Sequence, residues 1–347
     1  MEENTFLIPL SMAIMGLVVG ALLSVLLRQT RIPYTVGLFA VGLGVGTLNR
    51  MGLFGAESAI SMGIDSVVNI HPDLILYLFL PILIFDAAYE LNMHIFKKTM
   101  VNAVLLAAPG LVISMLLTGL LMVGIGAVVP QFAGWGWTFA LMFGALISAT
   151  DPVAVVALLH ELKTSKRFST LVDAESILND GTGIVCFMLF IGPFLKAGES
   201  YGAPLLEFCY VMVMSLLLGF VMAQGVIWFI TRINSEENVQ NSVIILSAYL
   251  TFILAQHSLD VSGVIALLAF GLTISYVGKP RLRPEVNNFM GRFWDLLTYA
   301  ANTLIFIIVG VIIAGKIHFT WTAFGILLLV YVALNLIRYA MITLLYP

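Results

Sequence analysis

Long apolar runs, each close to the length of a membrane crossing, alternate with short polar connectors along the whole chain. A helix needs about 20 apolar residues to cross the hydrocarbon core. On that criterion eleven segments emerge: 6–27, 33–49, 73–92, 100–129, 136–160, 168–195, 204–231, 239–257, 261–277, 288–315 and 319–346. Connectors such as Arg28–Ile32 and His257–Asp260 are only a few residues long, which favours antiparallel neighbours. No low-complexity tract or soluble domain interrupts the series. The pattern predicts an all-α polytopic membrane protein.

Composition agrees. Of 347 residues 61% are hydrophobic and 10% charged, where a soluble domain carries about 25% charged residues. The net charge of −3 gives no reason to invoke nucleic acid. Cys186 and Cys209 lie in apolar segments without metal-ligand spacing and read as buried thiols. Glu2 and Glu3 precede the first segment and Arg28 follows it, the reverse of a signal peptide's basic leader, so it reads as a retained helix.

Charge asymmetry predicts orientation. Of the 16 lysines and arginines, Arg50, Lys196 and Lys316 fall on the N-terminal side and Arg338 lies inside the last segment. The others, among them Lys97, Arg232 and Arg283, fall on the opposite side. The positive-inside rule then puts the N-terminus outside and the end of segment eleven in the cytoplasm.

Candidate chemistry concentrates in two stretches, Ser148-Ala149-Thr150-Asp151-Pro152 and Asp173 through Gly181. An ionisable group at membrane depth costs roughly 2.5–3.5 kcal/mol on insertion scales, so a cluster of them points to handling of ions or protons. Pro152 removes a backbone donor and pushes Asp151 from helical geometry, which predicts a broken helix there. Freed carbonyls must then find partners or line a wet cavity.

In the next segment, helical spacing puts Asp173, Ser176 and Asp180 on nearly one face, with Glu175 about 140° from Asp180. The two acids therefore need different partners. Asp180 is the deepest acid by position, and a carboxylate there is a competition site for H⁺ and a cation. Asn179 adds a neutral amide, and Gly181 and Gly183 allow close backbone approach.

Asp86 and Glu90, after Pro81, share a face of segment three and could line an approach for ions or simply mark a wet helix end. Arg338 lies deep in segment eleven and requires an acidic partner. Asp295, close to Arg292, reads as a solvated end. The five histidines sit at segment ends and read as interfacial.

The residues 148–159, Ser-Ala-Thr-Asp-Pro-Val-Ala-Val-Val-Ala-Leu-Leu, together with Glu175 through Gly181, resemble the cation/proton antiporter 1 family of Na⁺/H⁺ exchangers. The stretches 31–37, 79–86 and 301–306 agree. Within that family the resemblance is to plant salt-overly-sensitive plasma-membrane exchangers, their prokaryotic relatives and sperm-type exchangers. It covers essentially the whole chain in order.

The resemblance implies an inverted-repeat antiporter fold and Na⁺/H⁺ exchange by an elevator mechanism, serving pH and sodium homeostasis and salt tolerance. It implies that Asp180 binds ion and proton beside Asn179, Thr150, Asp151 and Ser176. Glu175 and Arg338 would form a structural ion pair, and Asp86 and Asp173 would line the ion pathway. An Asn-Asp pair goes with electroneutral one-for-one exchange. The expected protein is not an enzyme and needs no cofactor beyond the transported Na⁺ and H⁺. It is a homodimer in the lipid bilayer of the plasma membrane, or the inner membrane of a bacterium.

The family division would assign 1–99 to scaffold and dimerisation helices 1–3 and 100–197 to core helices 4–6 with the ion site. Residues 198–318 would be linking helix 7 and scaffold helices 8–10, and 319–347 core helix 11. Alternatives are K⁺ or Li⁺ in place of Na⁺, or a non-transporting sensor or channel on the same fold. An intramembrane aspartyl protease would need Gly-x-Gly-Asp, which Asn179-Asp180-Gly181 does not supply.

One departure is Ala174 where the plant proteins have glycine. Another is that helices 12 and 13 of the thirteen-helix family would lie beyond Pro347, so the 347 residues by themselves are expected not to exchange ions. Robust Na⁺-driven proton flux by this purified chain in liposomes would refute that expectation.

Overall fold

The computed structural model describes residues 4–28, 30, 32–55, 58–129, 134, 136–150, 165–195, 204–232, 237–317 and 320–345. Every regular element among them is helical. In chain order they are α1 (Asn4–Leu27), α2 (Tyr34–Arg50), α3 (Ala59–Val68), α4 (Pro72–Glu90), α5 (Met93–Leu105), α6 (Leu111–Val128) and α7 (Trp137–Ser148). There follow α8 (Lys166–Leu195), α9 (Pro204–Arg232), α10 (Glu237–Ile253), α11 (Gly263–Thr273), α12 (Pro284–Lys316) and α13 (Trp321–Leu345). Nine described stretches are long and apolar enough to cross a membrane. The 17-residue α2 and the 12-residue α7 supply the remaining two predicted segments.

The differences from the hydrophobic pattern have local causes. Helix α3 escaped prediction because ten residues cannot span a bilayer; Ser58 caps it, accepting from the Ser61 amide at 3.1 Å. Helices α5 and α6 form one longer rod through a π-turn at Leu106–Gly110, where Pro109 can donate no hydrogen bond. The sharp turn from α10 to α11 is held by side chains. Asp260 takes the left-handed backbone conformation (φ 49°), and the Ser262 and Gly263 amides donate to Ser215 Oγ (3.0 Å) and Gln256 Oε1 (3.1 Å).

The chain forms two compact units, 1–83 with 292–324, and 84–291 with 325–347. This grouping follows spatial packing, whereas the four-part sequence division is a functional one. In the first unit, Arg50 caps α12 by donating to the carbonyls of Ile317 (2.9 Å) and Ala314 (3.4 Å). Tyr34 and Thr303 share a hydroxyl hydrogen bond of 2.9 Å.

The second unit holds the candidate chemistry. Here α6 packs on α7, α7 and α5 on α8, and α9 on α11. Small residues let these backbones close up. A side chain at Gly144 of α7 would reach 2.5 Å from the Met115 carbonyl of α6, and one at Gly183 of α8 would meet Ala149 at 3.1 Å.

Gly219 on α9 has no room at all, since an added Cβ would overlap the Ala266 carbonyl of α11. Gly225, further along the same helix, faces open space. Gly219→Ala is therefore expected to cost about 1–3 kcal/mol through overpacking, read as a lowered melting temperature in detergent. Gly225→Ala should leave it unchanged.

Candidate functional site

Helix α7 stops at Ser148, and Ala149 is extended (φ −71°, ψ 125°). The predicted break thus begins within the described chain, while Asp151 and Pro152 lie outside the described residues. The end of α7 is tied to α8, where Ser176 Oγ donates to the Thr150 carbonyl at 3.0 Å. A carbonyl released by the helix end thereby finds a donor.

One turn of α8 carries the polar cluster. Glu175 is 8% exposed, Ser176 5% and Asn179 2%. Asn179 Nδ2 donates to Glu175 Oε1 at 2.9 Å, an i to i+4 bond along one face of the helix. Arg338 on α13 reaches the same carboxylate, with Nη2 3.2 Å from Oε2 and 3.4 Å from Oε1. Its Nη1 donates to the Thr150 hydroxyl. A guanidinium two residues beyond α7 also sits favourably toward the negative end of that helix's dipole. One arginine thus joins three parts of the chain.

Beside this network lies a cavity of about 40 Å³, lined in part by Ser114, Thr118, Ser148, Thr150, Glu175, Asn179 and Arg338. Leu111, Leu334 and Met341 form part of its apolar wall. Ser148 opens one of the two stretches named in the sequence, whereas Ser114 and Thr118 were not singled out there. The available signal was weak but present, two hydroxyl residues four apart in the otherwise apolar segment 100–129.

The structure therefore brings together Thr150, Glu175, Ser176, Asn179 and Arg338. Asp180 is not among the residues that line the cavity, and it is exposed. Its position near the middle of an apolar segment predicted burial. The 100° turn per residue instead carries it away from the Asn179 face. Asp173 is half-buried on the same helix, and Asp86 is 7% exposed on α4. Neither lines the cavity. Cys186 is buried as expected, whereas Cys209 is exposed.

Comparison with known proteins adds a family. A model described as sodium/hydrogen exchanger, transmembrane, matches residues 14–347. The chain is 33% identical over 342 residues to sodium/hydrogen exchanger 7 of Arabidopsis thaliana, covering 96% of this chain and 29% of the relative. It is 33% identical over 313 residues to the Na⁺/H⁺ antiporter ApNhaP of Aphanothece halophytica, covering 89% of this chain and 55% of the relative. The chain thus spans about a third to a half of these relatives. Among solved structures, the sodium proton antiporter MjNhaP1 from Methanocaldococcus jannaschii superposes with a TM-score of 0.81 at 20% identity, over 98% of this chain and 78% of that one. This likeness establishes a shared fold.

The ion pair generates a stability prediction. The Glu175 side chain is 10% exposed and that of Arg338 37%, so removing the arginine strands a nearly buried carboxylate. Arg338→Met is expected to destabilise by about 1–3 kcal/mol, less than for a fully buried pair because the guanidinium is partly solvated. The double variant Glu175→Gln with Arg338→Met should recover part of that loss. Thermal unfolding of the singles and the double in detergent measures it.

Proposed function

We propose, for a chain that belongs to the transmembrane sodium/hydrogen exchanger family, that it forms the ion-handling part of a secondary antiporter exchanging Na⁺ for H⁺. The observation that carries this reading is the separation of two acids on one helix. Glu175 is engaged by Asn179 and Arg338, while Asp180, five residues on, is exposed. Glu175 is thereby a structural acid, and Asp180 is the acid an ion can reach.

Asp180 is the shared site. A bare carboxylate is poorly tolerated in a low-dielectric crossing, so it moves only when neutralised by a proton or by a cation. One carboxylate that exchanges one H⁺ for one Na⁺ moves no net charge, which accounts for an electroneutral stoichiometry. Asn179 holds the preceding position through its bond to Glu175. Thr150, pinned by Ser176 and Arg338, lends the broken-helix backbone beside the ion together with Asp151. Asp86 and Asp173 serve as parts of the pathway.

The carrier works by an elevator movement of a core that includes α6, α7, α8 and α13 against a scaffold, in a homodimer. It sits in the plasma membrane, or the inner membrane of a bacterium, with its N-terminus outside. The order and apolarity of the spans and the antiporter fold of MjNhaP1 support this reading.

Asp180→Asn in the full-length protein is expected to abolish exchange and leave folding intact. Proteoliposomes loaded with a pH-sensitive dye and challenged with a Na⁺ gradient measure the first; size-exclusion profile and melting temperature measure the second. Wild-type exchange rates in that variant would end the mechanism.

A further inference from the structure

Three side-chain atoms in the second unit, Thr118 Oγ1, Ser148 Oγ and Asn179 Oδ1, are buried and have no hydrogen-bond partner among the described residues. All three residues line the same cavity. Thr118 is 0% exposed and Asn179 2%. Buried polar atoms without partners are costly and rare, so three of them around one space mark it as a place that exchanges hydrogen bonds with a ligand.

The lining decides which ligand. The Arg338 guanidinium opposes a cation and the Glu175 carboxylate opposes an anion, and the two are already paired at 3.2 Å. A neutral molecule that both donates and accepts is left. The volume of about 40 Å³ exceeds the roughly 10–15 Å³ that one water requires. Asn179 commits its amide nitrogen to Glu175, so its carbonyl can only accept. The two hydroxyls can each donate or accept. A water in this space supplies the donor that Asn179 Oδ1 lacks and a partner for a hydroxyl beside it.

We propose that this cavity is a bound-water site, and that Thr118 and Ser148 act through its water as positioning residues for Asn179. The water gives the two ends of the Asn179 amide different tasks. Its nitrogen faces the Glu175 carboxylate and its oxygen faces a donor. Without that donor, the amide loses what holds its oxygen in place, and a flipped amide sets an oxygen against the carboxylate. Asp180 is the next residue in the chain, so the backbone that presents it depends on the same turn. The functional half of this proposal rests on the reading of Asn179 and Asp180 as the exchange site; the water site itself does not.

Two measurements on the full-length protein test it. A cryo-EM or crystal structure at a resolution that reveals ordered water is expected to place a peak about 3 Å from Asn179 Oδ1 and within reach of at least one of the two hydroxyls. A dry cavity, or a cation there, overturns the site. Thr118→Val keeps the shape and removes the hydroxyl. It is expected to raise the KM for Na⁺ about threefold or more and to shift the pH profile of exchange, the size of effect one water-mediated bond carries. Thr118→Ser, which keeps the hydroxyl, is expected to restore both.

An unchanged KM and pH profile in Thr118→Val, beside an active wild type, overturns the positioning role. An inactive wild type counts against the exchange reading instead, and the ordered-water peak then decides the site by itself.

Discussion

A charge carried into a membrane needs a counter-charge, and in this protein the Glu175–Arg338 pair meets that need for two groups at once. Either side chain left alone at that depth would carry the desolvation cost of an isolated ion, which the pairing offsets. Their pairing settles where α13 lies against α8. Through the Thr150 hydroxyl it also settles where α7 ends. The bond from Ser176 to the Thr150 carbonyl fastens the same joint from the other side. The polar cluster is thus built as a brace, with the packing of α6, α7 and α8 arranged around it.

That brace needs close backbones. Gly144 against Met115 and Gly183 against Ala149 allow α7 to lie between α6 and α8 with little side chain intervening. In lipid, where apolar surface gains little by moving from tails to protein, such close packing and interhelical hydrogen bonds hold helices together. The brace and the glycines therefore stabilise one arrangement by different means: one directional and polar, the other steric.

Much of this could be read from the chain. Helix positions followed from apolar run length, because a bilayer imposes that length directly. The need for an acidic partner to Arg338 followed from its depth, and the different allegiances of Glu175 and Asp180 from their angular separation. Which carboxylate Arg338 meets required the family resemblance, since residues so far apart in sequence carry no local signal. Helix α3 was hidden because it is too short to span. The exposure of Asp180 was hidden because position along a segment measures depth and says nothing about which way a side chain points. Thr118 was passed over for a related reason: hydroxyls in an apolar helix are common, and only packing reveals what such an oxygen faces.

The wide separation of the brace's members has a consequence for how the protein is made. Glu175 and Arg338 are 163 residues apart, so synthesis from the N-terminus delivers α8 to the bilayer well before α13 exists. During that interval the Glu175 carboxyl has Asn179, on its own helix, as a neighbour, and the guanidinium is yet to come. The contacts that Arg338 makes to Glu175 and to the Thr150 hydroxyl therefore form only once α13 has been made, after the helices they join.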